Sequence, residues 1–251
     1  MSLVRTVIAG NWKMYKTRKE AVSLCEALLE GAAAVPEGRE LLVFPPFTAV
    51  AAVAERCRGS RIGVGGQNLH PSAEGAFTGE ISARMLLEAG ATHVLIGHSE
   101  RRQIFREADA FLAGKARTAL DAGLTPVFCV GETLEERQAG RTEEVVREQI
   151  TQGLGALNAG DLGALLIAYE PVWAIGTGVT ATPEQARAAH QSLRSELRAG
   201  WGDAADRIPL LYGGSVKPGN AGELLAQPDV NGLLVGGASL DGASFLAIAA
   251  A

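Results

Sequence analysis

The chain has 251 residues, 47% hydrophobic and 20% charged, a balance that excludes a disordered or fibrous protein. Its net charge of −5, from 23 Lys and Arg against 28 Asp and Glu, argues against a broad nucleic-acid or anionic-membrane footprint but leaves room for a local cationic pocket. Three cysteines, Cys25, Cys57 and Cys129, are widely spaced without CxxC pairing, which suits a reducing compartment better than a disulfide framework.

In chain order, short β-type runs recur at Val4–Ala9, Glu40–Phe44, Arg61–Gly65, His93–Gly97, Pro126–Val130, Ala164–Tyr169, Ile208–Tyr212 and Gly232–Val235. Each is nearly continuous in apolar residues, as expected of strands buried on both faces. Eight such runs give roughly 31 residues per unit, the size of one βα repeat. Helix starts lie between them. Thr17 with Glu20, and Thr133 with Glu136, read as capping boxes. Thr182 is followed by proline at the first helical position, and Glu184–Arg198 is amphipathic. Strict alternation without a composition break predicts an α/β fold: one closed (β/α)8 barrel domain over residues 1–251, with eight parallel strands inside a ring of helices. The terminal stretch Phe245–Ala251 is alanine-rich, and its helix is expected to fray. A match to the dinucleotide fingerprint, Gly176 to Ala181, does not directly follow a strand and carries little weight.

The apolar stretch Leu41–Ala54 is cut by Pro45-Pro46 and is too short to cross a bilayer. The N-terminus has no signal-type apolar region, so a cytoplasmic protein is expected. The four histidines lack zinc-type spacing. Two long connections, Gly66–Glu80 and Pro171–Gly178, are candidates for function.

In a parallel barrel the chemistry gathers at the C-terminal strand ends. The residues there are Asn11 and Lys13 after the first strand, His98 after the fourth and Glu170 after the sixth. Gly213, Gly214 and Ser215 follow the seventh, and Gly236 and Gly237 the eighth. An amide, an ammonium, an imidazole and a carboxylate beside two glycine-rich turns describe an acid–base site next to an anion site. Glu170, framed by Tyr169 and Pro171, is expected to have a raised pKa and to act as base. His98, at a helix start, is expected to stay neutral. Lys13 is open to a Schiff-base, a structural or an electrostatic role, of which the last is the simplest. Trp173 and Ile175 in a glycine-ended loop suggest a lid closing over the site.

Several ordered motifs then resemble the triosephosphate isomerase family along essentially the full chain. They are Ala9–Met14, Gly75–Glu80, Ile96–Arg102, Ala168–Gly178, Tyr212–Val216 and Leu234–Ser239. The resemblance implies a TIM barrel that interconverts dihydroxyacetone phosphate and glyceraldehyde 3-phosphate through an enediol(ate), without metal or other cofactor. It implies Glu170 as the base, His98 as the electrophile and proton shuttle, and Lys13 and Asn11 as stabilising and positioning groups. Phosphate falls to Gly176, Ser215, Gly236 and Gly237. Glu100 supports Lys13, Ser99 holds Glu170 while the lid is open, and Tyr212 latches the closed lid, which comprises Pro171, Val172, Trp173, Ala174, Ile175, Gly176, Thr177 and Gly178. The resemblance also implies a homodimer in which Phe77, Thr78 and Gly79 insert beside Asn11 and Lys13 of the partner, with no nucleic acid or membrane as partner. Tyr15 and Val179 depart from the family's usual residues, at the interface and at the lid hinge. A Schiff-base aldolase is disfavoured by Glu170 standing near strand six, a metal-dependent epimerase by missing ligands, and a non-catalytic scaffold by the complete set of rim residues.

Overall fold

The structure is a computed structural model that describes residues 4–176 and 180–251. Eight strands form, β1 (Thr6–Asn11), β2 (Arg39–Phe44), β3 (Ile62–Gly66), β4 (His93–Ile96), β5 (Thr125–Val130), β6 (Leu166–Tyr169), β7 (Leu210–Tyr212) and β8 (Gly232–Val235). Each pairs in parallel with the next, and β8 returns to β1 with Val7 opposite Gly232 and Gly10 opposite Val235. The sheet is therefore closed, as the repeated βα pattern predicts.

The helices are α1 (Arg18–Gly31), α2 (Phe47–Cys57), α3 (Ala83–Glu88), α4 (Ser99–Gln103), α5 (Asp109–Ala122), α6 (Leu134–Gln138), α7 (Thr142–Leu154), α8 (Pro183–Trp201), α9 (Pro218–Leu225) and α10 (Gly242–Ala250). The capping boxes at Thr17, Thr133 and Thr182 all form, the last with Pro183 opening α8. Each satisfies amide donors that a helix start would otherwise leave bare.

Strand side chains alternate between two cores. Val7, Ala9, Leu42, Phe44, Leu95, Val127, Cys129, Leu166, Ala168, Leu211 and Leu234 fill the barrel. Their neighbours Ile8, Leu41, Val43, Val94, Ile96, Phe128, Ile167, Leu210 and Leu233 pack outward under the helices. Both faces are dry, which is why the strands read as unbroken apolar runs.

The end of the chain corrects the expectation of fraying. Phe245, Ile248 and Ala249 of α10 are fully buried, and Arg39 Nη1 donates to the Ala249 carbonyl at 2.6 Å. An apolar face docks the helix, and the Asp241 side chain caps its start by accepting the Ser244 N–H at 2.8 Å.

Polar groups at the N-terminal strand ends are closed off within the chain. The Arg61 guanidinium donates to the carbonyls of Val35, Pro36 and Arg39, each at 2.8 Å, and to Ala32 at 3.3 Å. Arg194, 4% exposed, donates to Asp229 and Asn231 side-chain oxygens at 3.0 Å and to the Ala205 and Ile208 carbonyls. No helix among the described residues is long and apolar enough to cross a membrane.

Candidate active site

At the opposite rim the polar residues face a shared space. A cavity of about 450 Å3 is lined by Asn11, Lys13, Tyr15, His98, Glu170, Ile175, Gly176, Ser215, Gly236 and Gly237, with Gly213, Gly214 and Lys217 among its other walls. The cavity thus unites the residues expected to do the chemistry with those expected to hold phosphate. Lys217, exposed and adjacent to the Ser215 turn, adds a cation that strand-end reading did not single out.

Glu170 directly follows β6, and its backbone N–H donates to the Val130 carbonyl at 2.7 Å. The residue is 2% exposed, and its carboxylate is held at both oxygens. Oε2 accepts the Ser99 backbone N–H at 2.8 Å, and Oε1 lies 3.0 Å from His98 Nε2. A Cβ on Gly213 would sit 2.9 Å from Glu170 Cγ, so the bare glycine makes room for the base.

The direction of the Glu170 shift differs from the sequence expectation. Burial alone pushes the carboxyl up, but the His98 charge and hydrogen bond, the Ser99 N–H and the Lys13 charge outweigh it, so the pKa lies below the ordinary value. The apolar neighbours Tyr169 and Pro171 are visible in sequence. The polar partners are distant in the chain, Ser99 by 71 residues, and are not.

His98 caps α4, with its Nδ1 accepting the Glu100 N–H at 3.3 Å. That bond occupies the Nδ1 lone pair, leaving Nε2–H to face Glu170. Burial draws the imidazole pKa down, while the Glu170 charge and hydrogen bond and the Glu100 charge outweigh it, so the net direction without substrate is upward, against the expectation from the helix start alone that the ring stays neutral.

Lys13 Nζ donates to Glu100 Oε1 at 2.7 Å, the pairing expected from the motifs. Asn11 is the last residue of β1 rather than the residue after it, and its Oδ1 accepts the Lys13 N–H at 3.0 Å. Lys13 adopts φ = 51°, unusual for a residue with a Cβ. Gln67 holds it there, with Nε2 donating to the Lys13 carbonyl at 2.7 Å and to the Phe44 carbonyl at 2.9 Å. Gln67 was not singled out from sequence, although it sits inside the long Gly66–Glu80 connection that was.

The first part of the lid is tethered rather than bare. Val172–Ala174 form a 3₁₀ turn, and Trp173 is half-buried. Its Nε1 donates to Glu132 Oε1 at 3.0 Å, and the Arg137 guanidinium lies 4.5 Å from the centre of its ring. Tyr169 Oη donates to Glu132 Oε2 at 2.9 Å, and Val172 N–H donates to the Glu132 carbonyl at 3.1 Å. Trp173 therefore departs from the expectation of an exposed apolar tip. Glu132 lies two residues beyond β5, a strand end that the sequence reading passed over. Ile175 and Gly176 line the cavity, whereas Thr177, Gly178 and the departure at Val179 lie outside the described residues.

Tyr212 ends β7, fully buried, with its phenol pushed up to about 12 by burial. Phe77, Thr78 and Gly79 are exposed, well apart in sequence from the rim. Phe77 stacks on His70 at 3.9 Å between centroids, and Gly79 takes φ = 92°, where glycine avoids strain.

Comparison with known proteins agrees with this geometry. The family described as "Triosephosphate isomerase" matches residues 6–251. The triosephosphate isomerase of Chloroflexus aurantiacus is 52% identical over 243 residues, covering 96% of this chain and 97% of that protein. The enzyme of the same name from Protochlamydia amoebophila is 50% identical, covering 96% and 91%. The crystal structure of triosephosphate isomerase from Bartonella henselae superposes with a TM-score of 0.89 at 42% identity, covering 98% of both chains. The chain belongs to the triosephosphate isomerase family.

Proposed function

We propose that this protein interconverts dihydroxyacetone phosphate and D-glyceraldehyde 3-phosphate by proton transfer through an enediol(ate), serving glycolysis and gluconeogenesis without a cofactor. One observation carries the assignment of roles: a buried carboxylate, an imidazole and an ammonium share one cavity with glycine-rich turns on its far wall. Glu170 is ionised as it stands, which a base requires, and it is aimed by Ser99 and His98. Substrate that takes over the His98 Nε2–H leaves the carboxylate with fewer stabilising contacts, and lid closure removes water. Both changes strengthen it as a base toward the carbon-bound proton.

His98 Nε2–H then donates to the substrate carbonyl and passes protons between the two oxygens. Its Nδ1 bond to Glu100 N–H fixes the tautomer for this work. Lys13 places positive charge where the enediolate develops negative charge. Asn11, Glu100 and Gln67 are positioning residues that set the Lys13 backbone and ammonium. The phosphate dianion is received by backbone N–H groups at Gly176, Gly236 and Gly237 with Ser215, close-approach positions because three of the four lack a side chain. Lys217 adds charge at the mouth. Tyr212 latches the closed lid, and the Glu132 clasp on Trp173 is the contact that closure must release. The assay is consumption of glyceraldehyde 3-phosphate coupled to reduction of dihydroxyacetone phosphate. Turnover by the purified chain in chelator is expected, and a rate equal to buffer alone would end the reading.

The chain acts as a cytoplasmic, one-domain homodimer. Met14, Ile104 and Phe105 are 93%, 70% and 62% exposed, and Met14 and Phe105 border a second recess of about 190 Å3 shared with Asn11, Lys13 and Gln67. Apolar exposure of this kind beside a catalytic lysine supports insertion of a partner's Thr78 loop. Sedimentation equilibrium is expected to give twice the chain mass of 26.1 kDa; a monomer at every concentration would contradict the dimer.

A further inference from the structure

The sequence places Cys25 and Cys57 in different βα units, yet the fold brings their Sγ atoms to 3.0 Å. Cys25 lies in the middle of α1 and Cys57 is the last residue of α2. Both thiols are free and buried, at 1% and 5% exposure. The neighbouring residues Glu26 and Arg56 meet across the same pair of helices at 3.5 Å. Two thiols in direct contact across adjacent helices need little displacement to reach bonding geometry. Cys57 also borders a surface cavity of about 410 Å3, walled by Glu55, Arg58, Gly63 and Gly90, which is ample for a small neutral oxidant.

We propose that Cys25 and Cys57 form a peroxide-reactive dithiol that closes reversibly to a disulfide, stapling α1 to α2 outside the barrel wall. Cys57 borders the cavity and Cys25 lies behind it, so a small oxidant meets Cys57 first, which sets the order of events. Cys57 loses its proton and its Sγ donates an electron pair to one oxygen of hydrogen peroxide. The O–O bond breaks and the departing oxygen leaves as water, giving a sulfenic acid at Cys57. Cys25 then loses its proton, its Sγ attacks Cys57 Sγ, and the hydroxyl leaves as a second water. Two thiols are oxidised and one peroxide is reduced to two waters. A dithiol reductant reverses the closure. The cross-link joins consecutive helices of the first two βα units and restrains the unfolded chain. Cys129 belongs to the separate core inside the barrel and takes no part.

The test treats the intact protein with hydrogen peroxide, alkylates remaining thiols after unfolding, and maps peptides without reduction. N-acetylmethionine added to the same solution serves as the dose marker. The expected product is a Cys25–Cys57 cross-linked peptide lighter by two hydrogens, formed no later than the sulfoxide of that marker and erased by dithiothreitol. Cys129 is expected to stay alkylatable, and the melting midpoint to rise by on the order of 5 °C. The Cys57→Ser variant is expected to show neither cross-link nor rise. Alkylation of both Cys25 and Cys57 after the added N-acetylmethionine is fully oxidised would overturn the proposal, as would an equal midpoint rise in Cys57→Ser.

Discussion

The two ends of the barrel use buried polar groups in opposite ways. At the N-terminal end, Arg61 and Arg194 are surrounded by carbonyls and side-chain oxygens of their own chain, and nothing is left to offer a ligand. At the C-terminal end, Lys13 pairs with Glu100 and His98 with Glu170, beside a cavity that admits a guest. The first arrangement spends polar residues on stability; the second keeps them near equilibrium with a substrate. Strand ends of one sheet thus acquire different roles because one set of partners is complete and the other is not.

That contrast breaks if the N-terminal end proves dispensable for stability. Arg194→Leu leaves the Ile208 carbonyl and the Asp229 carboxylate without the guanidinium and removes one of the donors to the Ala205 carbonyl and the Asn231 amide oxygen. A loss of about 3–5 kcal/mol in urea unfolding is expected, with kcat of the remaining folded protein unchanged. A loss below the error of the extrapolation would place Arg194 among ordinary surface residues.

The complementary substitution is Lys13→Ala. Here the expected outcome is a fall in kcat/KM on the order of 10²–10³-fold with a melting midpoint close to the parent's, since the ammonium is only partly buried and alanine keeps the same Cβ at φ = 51°. Normal kinetics would remove Lys13 from the site.

A smaller effect separates the ends by pH. His190 of α8 is fully buried, its pKa pushed down from an ordinary 6.5 to about 4 by loss of hydration, next to the rings of Tyr169 and Tyr212. The unfolded chain therefore binds the proton first as pH falls. Stability is intact above pH 6.5 and declines between 6.5 and about 4, by up to about 3 kcal/mol from this residue. His190→Gln is expected to flatten that part of the stability–pH curve. An identical slope in the variant would assign the titration to another group.

Much of this contrast is legible in the sequence. The eight strands announce themselves because both faces are dry, and the rim residues follow from reading what comes after each apolar run. The motifs around Lys13, His98 and Glu170 carry the rest. What escaped depends on pairings over long separations. Gln67 reaches a carbonyl 54 residues away, and no local pattern marks an amide for that task. Glu132 clasps Trp173 across 41 residues. The pKa direction of Glu170 is not legible locally, because its immediate neighbours are apolar while its hydrogen-bond partners, His98 and Ser99, are remote in the chain. The closing helix α10 looked frail by composition, although burial of Phe245 and Ile248 rather than propensity decides whether a short helix holds.

The central claim is that Glu170 removes the proton from carbon. Its most direct test is steady-state kinetics of Glu170→Asp beside the parent in the coupled triose assay, with thermal unfolding of both. The shorter side chain withdraws the carboxylate by around 1 Å, so kcat is predicted to fall on the order of 10²-fold while the melting midpoint stays close to the parent's. Parent-like turnover in that variant would contradict the account.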